Sequence, residues 1–519
     1  MTPIAAMELS HALAFSCFII LAYWFMIRWR SSSKRLPKDL PWAGAEQNSM
    51  SRRLAHIREL WQGSAILAEG YSKYNKQGQP FAAPNFNNFV PNVIVPPEFA
   101  HWMDSQPEDK LSAREGQLYF LSKYTFSHPR LHQDTLDANT ARTAMILRLQ
   151  TLFAQVNDET VAALDDVWGN DEQEWTPVNL YETMWIVVAR AANRAFLGKP
   201  LCRDVRFLDA LRTYVNSFAT QGILIRFLVP NILQPVFGRL LAWPVHLRYR
   251  TLVDGYLLPY ARQVIKQTKS EKPSQDRDNF AHWLAAADQG RQPDDEIMAD
   301  ALAGQLASAE FSPLHTSTFA ITNSILDILS SPHHNEILAT LCNEAEAALH
   351  GAPKSWSRPD ILRLELADSV IRESQRLNRT TGKAMLRRVV AREGLTLPDG
   401  THISNGFYIG LSAEGIHMDP DLYESPEEFR PFRFAGTDGR EQARKLVSIG
   451  TDYLPFGYGR HGCPGRFFVA GMLTVMLAVI ARDYEIEGLE ERPRGHRISD
   501  HSAPPRDLMI RVRRRRKVI

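Results

Sequence analysis

The most distinctive chemical group in the sequence is the thiol of Cys463, which lies in the run FGYGRHGCPG at residues 456–465. Glycines at 457, 459, 462 and 465 allow backbone conformations and close approaches that a side chain would block. Such a loop can turn several N–H groups towards one sulfur. A long apolar segment begins at Phe467 and indicates a helix, so Cys463 lies just before a helix N-terminus. Helix-end charge and backbone donors both favour thiolate over thiol.

The other three cysteines, Cys17, Cys202 and Cys342, are far apart and none forms a CxxC pair. This spacing indicates neither a zinc site nor a disulfide framework, and scattered thiols are typical of a reducing compartment. A thiolate held against an apolar helix, without a second cysteine, is suited to bind a haem iron. The alternative is a buried structural cysteine in a glycine-rich turn.

The same run resembles the cytochrome P450 signature F-x-x-G-x-[R/H]-x-C-x-G at every fixed position, which are Phe456, Gly459, His461, Cys463 and Gly465. The resemblance implies a haem-thiolate enzyme in which Cys463 is the axial ligand of haem b, iron-protoporphyrin IX. It further implies that Phe456 packs beside the sulfur and that His461 hydrogen-bonds a haem propionate. Thiolate donation to the iron favours O–O cleavage.

A second motif, in the run SVIRESQRLNR, places Glu373 and Arg376 three residues apart on a predicted helix, so the two side chains share a face. The segment SPEEFRPFRF supplies Arg433. These residues resemble the Glu–Arg–Arg cluster of the same family. The resemblance implies a structural role for this cluster in the core beside the haem.

A third motif lies in a very long predicted helix that starts near Asp294 and contains Pro313, whose ring disfavours regular helix geometry. The run SPLHTS at residues 312–317 resembles the family's oxygen-binding motif, (A/G)Gx(D/E)T(T/S). Thr316 is retained, whereas His315 replaces the usual acid. We expect Thr316, with His315, to stabilise and protonate the bound oxygen; alternatively, His315 points into solvent. Glu310 lies on a different face and is a poor substitute for the acid.

The fold class predicted from the sequence is mainly α with a small β portion, a cytochrome P450-like haem domain preceded by one N-terminal transmembrane helix. Predicted helices cover residues 135–156, 206–218 and 360–377, and short strands appear only late, around 387–390, 401–403 and 406–411. We expect three parts: an anchor at 1–30, a basic, proline-rich hinge at 31–49 and a catalytic domain at 50–519.

Residues 12–27 are uncharged and apolar, and basic residues follow from Arg28 onwards. As a helix this run is roughly 24 Å long, slightly short of the hydrocarbon core. Extended back to Ala5, it gives a span that a thin endoplasmic-reticulum bilayer would accept. The basic flank predicts a single-pass protein with its catalytic domain in the cytosol and in contact with membrane lipid. A buried core helix and a cleaved signal peptide are the alternatives. Residues 222–245 are apolar too, and indicate either core packing or a second surface that enters the membrane.

Net charge is only +2, so a nucleic-acid partner is not expected. The sequence contains no flavin or nicotinamide fingerprint, and a separate NADPH-dependent cytochrome P450 reductase is the expected electron donor. Its docking face is predicted at Arg440, Arg444, Lys445 and Arg460, unless these cations form a merely solvated surface.

The runs KYTFSHP, ESQRLN and GRHGCPGRFF are similar to fungal enzymes of secondary metabolism. This similarity implies a monooxygenase acting on a small apolar substrate, namely a terpenoid, meroterpenoid or alkaloid intermediate. Two alternatives stay open: a haem-thiolate isomerase or dehydratase that consumes no dioxygen, and a non-catalytic membrane haem-binding protein.

Overall fold

The computed structural model describes residues 36–46, 48–120, 122–127, 146, 148–229, 233–269, 278–288, 294–348, 357–436 and 443–516. The predicted anchor at 1–30, part of the predicted hinge and Arg440 lie outside these residues. Within the described ranges, no helix combines the length and the apolar character needed to cross a bilayer.

Helices form most of the described structure. They are α1 (Ser49–Lys73), α2 (Ala100–Ser105), α3 (Ala113–Phe120), α4 (Leu149–Trp168), α5 (Leu180–Phe196), α6 (Val205–Leu228), α7 (Arg239–Leu252), α8 (Leu258–Thr268), α9 (Phe280–Asp288), α10 (Asp295–Leu329), α11 (His334–Ala348), α12 (Arg358–Leu362), α13 (Glu365–Leu377), α14 (Ala413–His417) and α15 (Arg466–Asp483). Two single π-helical turns, Gln234–Gly238 and Val253–Leu257, directly precede α7 and α8.

The strands are short and form small sheets. They are β1 (Phe81–Ala83), β2 (Asn92–Ile94), β3 (Leu111–Ser112), β4 (Thr176–Asn179), β5 (Lys383–Val389), β6 (Leu395–Thr396), β7 (His402–Ile403), β8 (Tyr408–Ser412), β9 (Tyr484–Ile486), β10 (His496–Ile498), β11 (His501–Ala503) and β12 (Met509–Arg514). The largest sheet has the order β1-β2-β8-β5-β3, and β10 pairs with β11 as an antiparallel hairpin. The mainly helical architecture with a small β portion is thus confirmed.

Two predictions about these elements were wrong. Strands are not confined to the late part of the chain, because β1 and β2 form early; every residue in both strands is buried, so neither has the alternation that reveals a one-sided strand. The helix predicted at 360–377 is two helices. Ser357 caps the first through a capping box, and Leu364, with φ −79° and ψ 60°, leaves the helical conformation before the second begins.

Two core helices provide the walls of the site. Asp294 caps α10 by accepting a hydrogen bond from the Ile297 N–H at 2.8 Å, and the helix then continues through Pro313 to Leu329. The other helix, α15, is buried on all sides from Ala470 to Ala481, as expected of a helix whose apolar residues are not limited to one stripe. Both belong to the main hydrophobic core, which makes them rigid supports for the residues between them.

Candidate active site

A cavity of about 570 Å³ lies between α10 and the loop that precedes α15. Three groups of residues line it: Pro313, Thr316 and Ser317 of α10; Phe456, Gly457, Cys463, Pro464 and Gly465 of the cysteine loop; and Thr380, Thr381, Lys383, Ala384 and Met385 around the start of β5. The structure therefore brings the predicted cysteine loop and the predicted oxygen-binding helix to the same space, although they are far apart in sequence.

The cysteine loop is held by its own backbone. The Cys463 N–H donates to the Phe456 carbonyl at 2.8 Å, and the Arg466 guanidinium donates to the Cys463 carbonyl at 2.9 Å. Gly459 has a φ of 66°, and a Cβ at this position would lie 2.2 Å from Cγ of Asp104. The glycine is therefore required twice, for its left-handed backbone and for the close approach of Asp104.

The surroundings of the Cys463 sulfur oppose and favour the thiolate at once. Burial raises the pKa of the thiol, whereas the Gly465 N–H, the Arg466 guanidinium and the Arg466 N–H lower it. Buried thiolates depend on such donors, since the negative charge has lost most of its water. A group that withdraws electron density from the sulfur would complete the stabilisation.

The donor set fits an iron porphyrin better than a metal ion bound directly by protein. Among the described residues, no group of three or more His, Cys, Asp or Glu side chains is arranged to hold a metal ion. A single sulfur is sufficient only for a cofactor that brings its own nitrogen ligands. The cavity is open beside this loop, because a Cβ at Gly465, on the cavity wall, would meet no protein atom within 4 Å.

His461 is exposed at the edge of this loop, with its Nε2 atom 3.2 Å from Nε of Arg460. Burial, Arg387 and Arg460 lower its pKa. Sequence reasoning missed Arg387, a buried arginine of β5 that donates to the Met103 carbonyl at 2.9 Å and to Asp104 at 3.1 Å. No local signal separates Arg387 from Arg388, because β5 reads KAMLRRV and three of its seven residues are basic.

Glu373, Arg376 and Arg433 form one buried cluster. The Arg376 guanidinium makes two hydrogen bonds to the Glu373 carboxylate, at 2.8 and 2.9 Å, and Arg433 adds a third at 3.1 Å. Arg376 also donates to the carbonyls of His417 and Pro426 at 2.6 and 2.7 Å. Fully buried charges are tolerated only when they are paired and hydrogen-bonded in this way. The cluster ties α13 to the chain that leads into the cysteine loop.

The oxygen side of the cavity differs from the expectation for His315. Thr316 and Ser317 line the cavity, whereas His315 does not. The His315 ring lies between Phe311 and Phe319, with centroid distances of 6.3 and 6.1 Å, and burial lowers its pKa. The buried Ser317 hydroxyl, which has no hydrogen-bond partner among the described residues, was not singled out from the sequence, although it directly follows Thr316.

Glu310 is fully buried on α10, and neither of its carboxylate oxygens has a hydrogen-bond partner among the described residues. Burial raises the pKa of this carboxyl to about 8, although the neighbouring Asn193 side chain lowers the pKa by a smaller amount. The carboxyl is outside the cavity lining. A protonated carboxyl could donate to the Asn193 Oδ1 atom, which also has no partner among the described residues.

Glu310→Gln is expected to flatten the pH dependence of the free energy of unfolding. The wild-type carboxyl has a pKa of 4.5 in the unfolded chain and about 8 in the folded protein. Between these two pH values the folded state binds more protons than the unfolded state. The free energy of unfolding therefore falls by roughly 1.4 kcal/mol for each unit that the pH rises. Denaturant unfolding at pH 5 and pH 8 should show the variant gaining stability over wild type as the pH rises. A difference between the two proteins that is the same at both pH values would contradict the assignment.

Comparison with known proteins identifies the fold. The family model described as Cytochrome P450 matches residues 98–505. The chain belongs to the cytochrome P450 family. It is 30% identical to the cytochrome P450 monooxygenase polB of Polytolypa hystricis, over 93% of this chain and 94% of that protein. It is also 30% identical to lnaC of Aspergillus flavus, over 97% of both chains, and 29% identical to tenB of Beauveria bassiana, over 95% and 94%.

The family and the enzyme class predicted from the sequence, a cytochrome P450 monooxygenase of the fungal kind, are therefore confirmed. Cytochrome P450 proteins carry a haem iron, act on small molecules and generally receive electrons from a redox partner. The three relatives compared here are all named monooxygenases. Their names favour monooxygenation over the two alternatives that the sequence left open.

Proposed function

We propose that this cytochrome P450 binds haem b through Cys463 and oxidises an apolar small molecule of fungal secondary metabolism, namely a terpenoid, meroterpenoid or alkaloid intermediate. One observation carries the proposal. The Cys463 loop, with the backbone donors of Gly465 and Arg466, forms one wall of a mainly apolar cavity that Thr316 and Ser317 of α10 line as well.

Each residue has a role that follows from its position. When bound, the haem supplies the iron at which dioxygen is activated. Cys463 would donate electron density to that iron. The N–H groups of Gly465 and Arg466, together with the positive iron, would offset the burial that otherwise favours the thiol. His461 and Arg387 are the proposed hydrogen-bond donors to the haem carboxylates. Phe456 packs beside the sulfur.

On the wall of the cavity that α10 forms, the Thr316 hydroxyl is the proposed proton donor to dioxygen. The Ser317 hydroxyl is a second proposed donor on the same wall. His315 is proposed as an indirect proton relay. Its imidazole lies next in sequence to Thr316 but outside the cavity, so a relay requires the ring to leave its contact with Phe311 and Phe319.

Thr316→Val is expected to lower the product formed per NADPH consumed by roughly 10-fold or more, since a positioned proton donor typically contributes at least that much. Hydrogen peroxide should accumulate instead. Thr318→Val is the matched control, because Thr318 lies on the same helix, bonds to the Leu314 carbonyl at 2.6 Å and does not line the cavity. Equal coupling of NADPH to product in both variants would remove Thr316 from the mechanism.

The reaction can be tested before the substrate is known. Metabolite extracts of a fungal strain with this gene and of a matched strain without it should differ by an oxygenated product. Growth under ¹⁸O₂ should place one labelled atom in that product. An unlabelled product, or a product formed without dioxygen, would contradict monooxygenation and favour the isomerase or dehydratase.

An NADPH-dependent cytochrome P450 reductase is the proposed electron donor. Arg444 and Arg460 are exposed, Lys445 is half-buried, and all three lie in or near the cysteine loop in sequence, which supports a docking role. Two of these cations already contact acids, since Arg444 pairs with Asp452 and Lys445 lies 2.8 Å from Glu365. Docking must therefore compete with these surface pairs, which are individually weak.

We further propose that the protein is anchored in the endoplasmic-reticulum membrane by residues 1–30, with the catalytic domain in the cytosol. A second lipid contact is supported by exposed apolar side chains in the π-helical turn Gln234–Gly238 and in α7, namely Val236, Leu240 and Trp243, which are 68%, 66% and 62% exposed. Patches of this kind are unusual on soluble surfaces. An alkaline carbonate wash of microsomes should leave the full chain in the membrane pellet; its release into the wash would contradict a spanning anchor.

A further inference from the structure

Three buried charges that the mechanism does not use lie next to the cavity. They belong to Glu59 of α1, Lys383 at the start of β5 and Asp500 in the turn between β10 and β11. The side chains are 4%, 1% and 1% exposed. The Lys383 ammonium lies 3.2 Å from Glu59 and 3.1 Å from Asp500. Buried charges are costly unless they are paired and hydrogen-bonded, so this cluster depends on all three side chains being present together.

The backbone is part of the same junction. The Asp500 carbonyl accepts from the Gly382 N–H at 2.6 Å, and its carboxylate accepts from the Lys383 N–H at 3.0 Å. Asp500 thus binds the start of β5 through three separate contacts, two from backbone N–H groups and one from the ammonium. Glu59, in contrast, reaches Lys383 only through the ammonium.

The hairpin turn is itself fixed against α1. The Ser499 N–H donates to the Leu60 carbonyl at 2.7 Å, and the Ser499 hydroxyl lies within hydrogen-bond distance of the Glu59 and Asp500 carboxylates, to either of which it can donate. Ser499 has a φ of 61°, an uncommon conformation for a residue other than glycine. A Cβ at Gly63 would lie 2.5 Å from the Ser499 carbonyl carbon, so the helix and the turn are in direct backbone contact.

The segment that Asp500 holds is a wall of the cavity. Thr380, Thr381, Lys383, Ala384 and Met385 all line it. The wall is irregular, because the β5–β8 register shifts between Ala384 and Arg387 and Met385 has a φ of 53°. Such a bulge leaves ladder bonds unmade, so the strand pairing alone does not fix this wall. The contacts from Asp500 lie immediately before the irregular stretch.

We propose that Asp500 and Lys383 are positioning residues, whose contact holds the wall at residues 380–385 and thereby selects which large ligands fit the cavity. The proposal rests on the proposed function, because it treats the cavity as the haem and substrate pocket. Asp500 is outside the cavity lining, and Lys383 lies in the wall with its ammonium held by Glu59 and Asp500. Both act through the position of the wall.

The cluster offers a matched pair of variants. Asp500→Asn and Glu59→Gln each remove one negative charge and leave Lys383 paired with one carboxylate, so both are expected to fold. Only Asp500→Asn is expected to weaken the contact with the wall at residues 380–385. The two oxygens of the Asp500 carboxylate accept from the Lys383 N–H and from the Lys383 ammonium. An amide has one acceptor oxygen and can replace only one of these contacts. In Glu59→Gln the remaining amide oxygen can still accept from Lys383.

The test uses the full-length haem protein and two azoles that ligate the iron. Imidazole is small and should bind to wild type and to both variants with the same Kd, within about 2-fold. Clotrimazole, a bulky N-(triarylmethyl)imidazole, should bind roughly 10-fold more weakly to Asp500→Asn, which corresponds to about 1.4 kcal/mol, but with wild-type affinity to Glu59→Gln. Equal clotrimazole affinity in all three proteins, or equal losses in both variants, would overturn the proposal.

Hydrogen exchange gives a second readout that does not depend on the iron. Amides at residues 382–385 should exchange faster in Asp500→Asn than in wild type and Glu59→Gln, and identical exchange in the three proteins would contradict the positioning role. A wild type that shows no imidazole-induced Soret shift would instead contradict the proposed haem site. The exchange measurement then still decides whether Asp500 holds the wall.

Discussion

Glu373→Gln is expected to lower the free energy of unfolding by about 3–5 kcal/mol, the usual cost of breaking a buried ion pair. The reason is that Arg376 is fully buried and Arg433 nearly so, and both lose the carboxylate that they share. Since domains are stable by only about 5–15 kcal/mol, this loss is a large share of the stability, and less folded haem protein should accumulate. Thermal unfolding of the fraction that folds, together with its haem content, measures the effect.

The matched control is Glu69→Gln. Glu69 forms an ion pair with Lys73 on α1 at 2.7 Å, but the two side chains are 39% and 61% exposed. Exposed pairs of this kind contribute about 0–1 kcal/mol, so the control should unfold close to wild type. If Glu373→Gln were as stable as Glu69→Gln, the cluster would not be the structural support proposed here.

Cys463→Ser is expected to reduce product formation at least about 1,000-fold, or about 4 kcal/mol of transition-state stabilisation, while the fold is retained. A serine hydroxyl is a much poorer electron donor to iron than a thiolate, and O–O cleavage depends on that donation. The enzyme is assayed with its reductase, by product yield per haem. Cys342→Ser is the control, because that thiol is outside the cavity lining; it should retain full activity. Substantial turnover by Cys463→Ser would contradict the assignment.

The sequence was most informative where a function is encoded in adjacent residues. The loop around Cys463 was visible because its glycines and cysteine are consecutive, and Gly459 indeed has the left-handed conformation that permits the approach of Asp104. The pairing of Glu373 with Arg376 followed from helical spacing. The start of α10 at Asp294 followed from a capping residue before an apolar run.

The sequence was least informative where partners are distant. Lys383 is separated in sequence from Glu59 by 324 positions and from Asp500 by 117. No local sequence pattern predicts contacts between residues so far apart. The orientation of His315 was equally hidden, since residues 315, 316 and 317 face different directions on one helix and only packing decides which of them reach the cavity. The early strands β1 and β2 were missed because burial on both faces removes the alternation that marks a strand.

The central claim, that Cys463 is the thiolate ligand of a haem, is tested most directly by the carbon-monoxide difference spectrum of the reduced full-length protein. The proposal predicts the strongly red-shifted Soret band that is typical of thiolate ligation in wild type and in Cys342→Ser, and its loss in Cys463→Ser. A wild-type spectrum without that band, or an unchanged band in Cys463→Ser, would contradict it.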